Sequence, residues 1–366
     1  MNICIVLSTR PEIIKLSPLI QILKKNKDKH FLINTSQHTL KKMSKVFFDF
    51  FKISGKVYNL KSVKKSQNSF YSSAIKEIDK ILKKNKPDFL IVQGDTNTSL
   101  AGSMAASLFN RNLPYSKKIK IVHIESGLRS FDDNMPEEIN RKIIDQISDI
   151  LFVPTKFDFE NLKKENCLKN KKVVISGNTI SDVLKKYIPI AQKIKVLEKF
   201  QIKKRNFFLV TLHRPESVDI EKNLIRLFKT FNILVKKFNK PIIFPIHPRT
   251  KNKIKKLKLK IDENIIIIDP LDYLSFLKLM NESKIILTDS GGIQEEAAII
   301  GVPCITLRTS TERQITLIKK VNILAGYNKK KIINAVKKFE HKKILKVKDF
   351  GVGQATKIIY RELLKV

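Results

Sequence analysis

Tryptophan is absent, cysteine occurs three times and histidine six times in 366 residues. Cys4, Cys167 and Cys304 lie far apart, which excludes a disulfide scaffold and paired-cysteine zinc spacing and fits a reducing cytoplasm. No set of His, Asp and Glu has metal-ligand spacing, so no metal is expected. No apolar run approaches the roughly 18 residues of a membrane helix. The opening MNICIVLSTRPE has a short apolar run without a basic leader or small-residue cleavage site, so no signal peptide is expected. A Walker sequence and a GxGxxG are both missing, which removes the P-loop ATPase and dinucleotide-cofactor readings. The serine of ESGLRS lacks the nucleophile-elbow spacing of hydrolases.

Acidic residues are also few. Asp and Glu number 34 against 72 Lys and Arg, a formal net charge of +38. Such an excess invites a nucleic-acid reading. Yet arginine occurs only 11 times against 61 lysines, and the lysines run along almost the whole chain, as in Lys24, Lys25 and Lys27. A groove built to grip phosphate favours the bidentate arginine fork, so solvated faces explain the lysines better and no nucleic-acid partner is expected. The field still favours anionic ligands such as nucleotides. Because arginine is scarce, Arg10, Arg129, Arg141, Arg214 and Arg313 attract attention where they stand.

Hydrophobic residues make up 42% of the chain, an ordinary globular share. Apolar runs read as strands at 2–7, 30–34, 88–93, 119–124 and 150–153, with helices at 11–26, 38–51, 67–84, 97–109 and 136–147 between them. Pro18 should kink the first helix. Strands return at 206–211, 241–246, 264–268 and 284–288, with helices at 219–237, 272–282 and 292–300. Continuous apolar strands alternating with helices predict parallel sheets covered on both faces. The expected fold is α/β, with two doubly wound, Rossmann-like domains facing a cleft. The expected division is 1–175, with a final helix at 352–366 packing back, and 176–351.

In such sheets ligands bind beyond the carboxyl ends of the strands. In TDSGGIQEEAAIIGVP (288–303) a strand ends, a Ser-Gly-Gly turn follows and a helix begins. The helix start favours an anion, Gly291 and Gly292 let a diphosphate approach the backbone, and Glu296 stands where it could accept from ribose hydroxyls. A serine capping its own helix explains the same residues. Arg10 and Lys15 follow the first strand, and Asp95 and Glu125 end two others. Glu137 and Arg141 sit four apart on a helix. Isolated strand-end carboxylates usually cap helices, but several at one edge of a parallel sheet suit proton transfer. His213 and His247 follow strands of the second half, positions that favour a functional role.

Taken in order, STRPEIIKLSP, TSQH, QGDTNT, HIESGLRS, MPEEINR, ISGNT, TLHRPES, IHPRT, DYLSF, LTDSGGIQEEA and TER resemble the non-hydrolysing UDP-N-acetylglucosamine 2-epimerases. The resemblance runs from the first strand to about residue 313 and returns in GVGQA. It implies a glycosyltransferase-B type fold and reversible epimerisation at carbon 2 through elimination and re-addition of UDP via 2-acetamidoglucal. It implies a UDP-sugar as substrate, no cofactor and a homodimer. Asp95, Glu125 and Glu137 match the acid–base carboxylates, and His213 the histidine at the leaving diphosphate. Arg10, Lys15, Arg141 and Arg313 match basic residues around nucleotide and sugar. Ser290, Gly291, Gly292 and Glu296 match the UDP site, with Phe276 at the uracil. Gln37, Gln67 and His247 are similar to residues lining an allosteric pocket. Two departures stand out: Ser8 replaces the usual glycine before Thr-Arg-Pro-Glu, and Gln314–Ile315 replace Pro-Glu after Thr-Glu-Arg. Alternatives are a 2-epimerase of a modified UDP-acetamido sugar, such as a UDP-diacetamido-uronic acid, and a glycosyltransferase of the same fold.

Overall fold

The computed structural model describes residues 1–35, 41–61, 66–111, 113–342 and 344–366, with the backbone alone for 41–45. The chain divides into two compact units, Met1–Val183 with Asp349–Val366, and Leu184–Lys348.

The first unit opens with β1 (Asn2–Leu7), α1 (Arg10–Lys25), β2 (Lys29–Asn34), α2 (Lys41–Phe50) and β3 (Lys56–Asn59). It continues through α3 (Gln67–Asn85), β4 (Phe89–Gln93), α4 (Asn97–Asn110), β5 (Lys120–Ile124) and α5 (Pro136–Ile147). After β6 (Ile150–Val153), α6 (Lys156–Lys164) and β7 (Lys172–Ile175), the helix α7 (Ile180–Ala191) leads into the second unit. There α8 (Val196–Lys199), β8 (Phe208–Thr211), α9 (Pro215–Val218), α10 (Glu221–Phe238), β9 (Ile242–Pro245) and α11 (Pro248–Lys256) come first. They are followed by β10 (Ile265–Ile268), α12 (Tyr273–Glu282), β11 (Ile285–Thr288), α13 (Gly291–Ile300) and β12 (Cys304–Thr306). Helix α14 (Gln314–Ile318), β13 (Asn322–Leu324) and α15 (Lys329–Glu340) complete that unit, and α16 (Ala355–Leu363) ends the chain.

Both sheets are wholly parallel. The first has seven strands in the order β3-β2-β1-β4-β5-β6-β7, the second six in the order β10-β9-β8-β11-β12-β13. Each order reverses once, between β1 and β4 and between β8 and β11. These are the switch points at which doubly wound sheets open a crevice beyond their strand ends. The strands are buried on both faces, as the continuous apolar runs require: Ile3 to Leu7 have no exposed surface. Four strands escaped the apolar-run reading. β3, β7, β12 and β13 are three or four residues long and carry polar residues such as Lys56, Lys172 and Asn322.

Local chemistry sets the helix starts. Thr9 precedes α1 in an extended conformation, Pro11 stands in its first turn, and Glu12 reaches back to accept from the Thr9 and Ser8 N–H groups at 2.6 and 2.9 Å. The helix runs on through Pro18. A proline there cannot donate to the Ile14 carbonyl four residues back, and the Ser17 hydroxyl takes that carbonyl instead at 2.8 Å.

The terminal segment belongs to the first unit because its backbone is tied there. Asn178 N–H donates to the Phe350 carbonyl at 2.8 Å, and Asp182 accepts from Ala355 and Thr356 N–H at the start of α16. Gly177 sits at φ +82°, and a side chain on it would come within 2.9 Å of the Phe350 oxygen. Among the described residues no helix is long and apolar enough to cross a membrane.

The second unit's core is built on aromatics, with Phe228 and Phe231 meeting edge to face at 5.6 Å. Phe228→Ala should therefore lower stability by about 3–5 kcal/mol, measured by urea unfolding. A loss under about 1 kcal/mol would contradict this account of the core.

Candidate functional site

In the first unit, polar side chains gather at the carboxyl ends of β1, β4, β5 and β7. Glu125 follows β5 at φ +73°, a left-handed conformation that glutamate rarely adopts. Its own N–H and that of Ser126 both reach the Phe152 carbonyl, at 3.0 and 3.1 Å. Its buried carboxylate pairs with Lys15 Nζ from α1, accepts from Gln93 Nε2 at 2.8 Å and faces Asn178 Nδ2 at 3.5 Å. A buried carboxylate needs such company, since isolation from water is otherwise costly.

Asp95 follows β4 and pairs with Arg141 of α5. The same guanidinium pairs with Glu138, one turn earlier on its own helix. Glu138 is fully buried and also accepts from Ser130 N–H at 2.9 Å, Ser130 Oγ at 2.8 Å and Phe131 N–H at 3.1 Å, so it anchors the loop before α5. The Asp95 side chain is 25% exposed. Asn140 Nδ2 holds the Asp95 carbonyl at 2.9 Å.

Beneath both carboxylates lies a dry charge cluster. Asp145 Oδ1 is 2.7 Å from His123 Nδ1, and Oδ2 accepts from Arg129 Nη1 at 2.7 Å and Gly127 N–H at 3.2 Å. His123 Nε2 lies 3.0 Å from the Gly94 carbonyl, the residue before Asp95, so both ring nitrogens face acceptors. Arg129 also forks onto Glu165 at 2.8 and 2.6 Å. Burial opposes the ionised form of Asp145, but His123 and Arg129 outweigh it and hold the carboxyl below its ordinary range. Gly127 is required: it sits at φ +81°, and a side chain would meet the Asp158 carbonyl oxygen at 2.4 Å.

Of the other expected residues in this unit, Arg10 lies over the Phe47 ring at 4.6 Å and Glu137 stands half-buried in the first turn of α5. Ser8 makes its turn without a left-handed backbone, because Glu12 holds its N–H. Gln67 is the exposed first residue of α3. Gln37 lies outside the described residues.

In the second unit, His213 follows β8 and the Ser-Gly-Gly turn follows β11, on the two strands that flank the switch point. Thr211 and Thr288 are register partners and share a hydroxyl contact at 2.6 Å. Ser290 occupies the cap position of α13, yet its side chain makes no capping bond, so a serine serving its own helix is not what the structure uses. A side chain on Gly291 would lie 2.3 Å from Glu312 Oε1, whereas the nearest atom to one on Gly292 is Ser290 Oγ at 4.0 Å. Gly292 is thus bare toward open space. Glu296 stands half-buried one turn in. Arg313 is buried, with Nε 2.7 Å from Glu295 and Nη1 3.6 Å from Glu312. Phe276 is half-buried on α12, and Gln314 opens α14 with its amide on the Thr311 carbonyl at 2.7 Å. His247 is the exposed cap of α11, accepting from Arg249 N–H at 3.2 Å. Among the described residues no group of three or more His, Cys, Asp or Glu could hold a metal ion.

The sequence reading passed over the partners. Glu12, Glu138, Asp145 and Asp289 are carboxylates with no exposed surface or nearly none. Asp289 accepts from the N–H groups of His213 and Arg214 at 3.0 and 2.9 Å, and His213 Nδ1 lies 3.0 Å from its other oxygen. Burial opposes its ionised form, but the His213 ring and the two N–H groups hold its carboxyl below the ordinary 3.8.

Two doubly wound α/β units, each with its polar residues at strand ends flanking a switch point, belong to the class of folds that take a ligand beyond their strand ends. The comparisons narrow the class. The family model for UDP-N-acetylglucosamine 2-epimerase matches residues 21–364, and the chain belongs to that family. It is 46% identical over 365 residues to a UDP-N-acetylglucosamine 2-epimerase of Methanococcus maripaludis, covering 98% of this chain and 97% of the relative. The crystal structure of the Methanocaldococcus jannaschii UDP-GlcNAc 2-epimerase in complex with UDP-GlcNAc and UDP superposes with a TM-score of 0.90 at 43% identity over 100% of both chains. A glycosyltransferase of kitacinnamycin, at 10% identity and a TM-score of 0.58 over 100% of this chain and 94% of that one, shares the fold alone.

Removing the Arg141 charge strands the buried Glu138, so Arg141→Met should cost about 3–5 kcal/mol, read by urea unfolding. Unchanged stability would mean that Glu138 finds another partner. The acid side offers a second check. With its native carboxyl below 3.8, Asp289 contributes stability that is full above that value and lost as pH falls through the lower native one. The stability of Asp289→Asn should accordingly fall less between about pH 5 and pH 3 than that of the unsubstituted protein, and equal slopes would contradict the assignment.

Proposed function

We propose that this protein interconverts UDP-N-acetylglucosamine and UDP-N-acetylmannosamine by eliminating and re-adding UDP across carbons 1 and 2 of the sugar. The observation that supports it most is that each strand-end carboxylate is paired with a cation, Glu125 with Lys15 and Asp95 with Arg141. An adjacent cation lets a carboxylate stand at a strand end out of water, and a carboxylate fixed within reach of carbon 2 can exchange its proton. The proton on carbon 2 is not acidified by a ketone, so it can leave only as the bond from carbon 1 to the diphosphate oxygen breaks. The C–H electrons then form the double bond of 2-acetamidoglucal, and the C–O pair departs with UDP. For the return, UDP re-adds at carbon 1 and a proton is delivered to carbon 2 from the opposite face. Asp95, Glu125 and Glu137, set on different elements, are the groups we assign to these transfers.

The second unit takes the nucleotide in this reading. The first N–H groups of α13 have no partner within the helix and suit the diphosphate, which Gly292 leaves room to approach. His213 contacts the departing oxygen, Glu296 the ribose and Phe276 the uracil, with Arg10 and Arg313 as further basic residues around the ligand. A homodimer in the cytoplasm completes the proposal.

Purified protein incubated with UDP-N-acetylglucosamine in deuterated water tests it by proton NMR. The expected result is a manno-configured UDP-sugar with deuterium at carbon 2. Free N-acetylmannosamine would indicate hydrolysis instead, and no change would point to a modified UDP-acetamido sugar. Asp95→Asn should lower kcat by about 10²–10⁴-fold while UDP affinity stays within about threefold; full turnover would remove Asp95 from the mechanism.

A further inference from the structure

Asp289 follows β11, and its side chain has no exposed surface, whereas the side chain of His213 is 52% exposed. One carboxylate oxygen accepts from two backbone N–H groups, those of His213 at 3.0 Å and Arg214 at 2.9 Å. The other lies 3.0 Å from His213 Nδ1. The half-exposed ring thus stands with its Nδ1 edge against a buried anion whose other oxygen is already held by two N–H groups. The threonine contact at the strand ends just before the two residues, 2.6 Å between Thr211 and Thr288 hydroxyls, keeps β8 and β11 in register at this point.

We propose that Asp289 is the positioning residue of the nucleotide side of the reaction: it fixes the proton of His213 on Nδ1 and balances the ring when Nε2 also carries one. The inference rests on the role given to His213 above. An ionised carboxylate has only acceptors, so the Nδ1 edge must donate, and the neutral ring keeps its lone pair on Nε2. Protonated there, the imidazolium donates from Nε2 to the phosphate oxygen that gains the C–O electron pair as carbon 1 is released. The proton of carbon 2 goes to a carboxylate of the first unit, and Asp289 stays ionised throughout. A carboxylate that orients a histidine in this way governs turnover more than ground-state binding.

Asp289→Asn separates positioning from packing. The amide keeps the shape and can still accept from both backbone N–H groups, but its NH₂ must then face Nδ1. The ring would be forced to the opposite tautomer, with its proton on Nε2. We expect nitrogen-15 NMR of histidine-labelled protein to place the proton of neutral His213 on Nδ1 in the unsubstituted protein and on Nε2 in the variant. Turnover should fall about 10²-fold or more, with KM and UDP affinity within about threefold. In a His213→Asn background the same change should cost little, because Asp289 acts through the ring. An Nε2 proton in the unsubstituted protein would overturn the proposal, even if the variant failed to fold. So would an equal loss of turnover in both backgrounds, which marks a merely structural residue. No turnover of UDP-N-acetylglucosamine by the unsubstituted protein would overturn the activity reading instead, and the ring nitrogens would still decide whether Asp289 sets the tautomer.

Discussion

Asp145 has no contact with water and three donors to satisfy, and the strand ends of the first unit are built around it. Two of the donors, His123 and Arg129, are themselves without exposed surface. Removing any one charge would strand the others in a medium that cannot solvate them. The cluster therefore persists as a unit, and it grips backbone on two strands. Through His123 it holds the Gly94 carbonyl, next to Asp95; through Gly127 N–H it holds the chain two residues beyond Glu125. Gly94, Glu125 and Gly127 all have positive φ, at +69°, +73° and +81°, conformations that no strand adopts. Glycine adopts such backbone freely, but at Glu125 it is strained and would relax if left alone. The buried ions are what keep two carboxylates of different strands on one rigid footing, and proton transfer between fixed partners tolerates little misplacement.

The second unit solves a different problem. Its strand ends carry a neutral threonine pair and a glycine turn, with one buried carboxylate facing a half-exposed histidine. Buried charges are neutralised by one another in both units, beside α13 by Arg313 with Glu295 and Glu312. The first turn of α13 adds N–H groups at the positive end of a helix dipole, and Gly292 leaves the approach open. Gly291 is a glycine for another reason, the proximity of Glu312. Two adjacent glycines thus answer to two constraints, one imposed by packing within the unit and one that only an incoming group would exploit.

Much of this was legible in the amino-acid order, and the exceptions share a cause. Central strands such as β1 and β4 stand out because a parallel strand buried on both faces must be apolar throughout. The edge-side strands β3 and β7 are half-exposed and short, so composition does not mark them. Residues at strand ends could be expected along one edge because parallel topology brings all such ends together. Their partners could not. Glu137 and Glu138 are neighbours of identical chemistry, yet Glu138 is fully buried on Arg141 while Glu137 stands half-buried; only the rotation of α5 against the sheet decides which is which. Asp289 was hidden in a motif whose glycines drew the eye. Ser8 shows the converse, a departure from the family pattern that costs nothing because Glu12 supplies the turn's hydrogen bonds.

The charge balance gains a physical meaning at this level. Among the described residues Lys15 is the one buried lysine, while Arg129, Arg141, Arg308 and Arg313 are all buried. The division follows from solvation. An ammonium is compact and strongly hydrated, so a chain rich in lysine keeps it at the surface, where +38 costs little beyond long-range repulsion screened by salt. A guanidinium sheds water more readily and can hold two carboxylates at once, as Arg141 does with Asp95 and Glu138 and Arg129 with Asp145 and Glu165. The lone exception points the same way. Lys15 pairs with Glu125, whose same oxygen also accepts from the neutral donor Gln93 and faces Asn178. A point charge serves at Glu125, whereas the guanidinium fork serves at Arg129 and Arg141, where one cation holds two carboxylates.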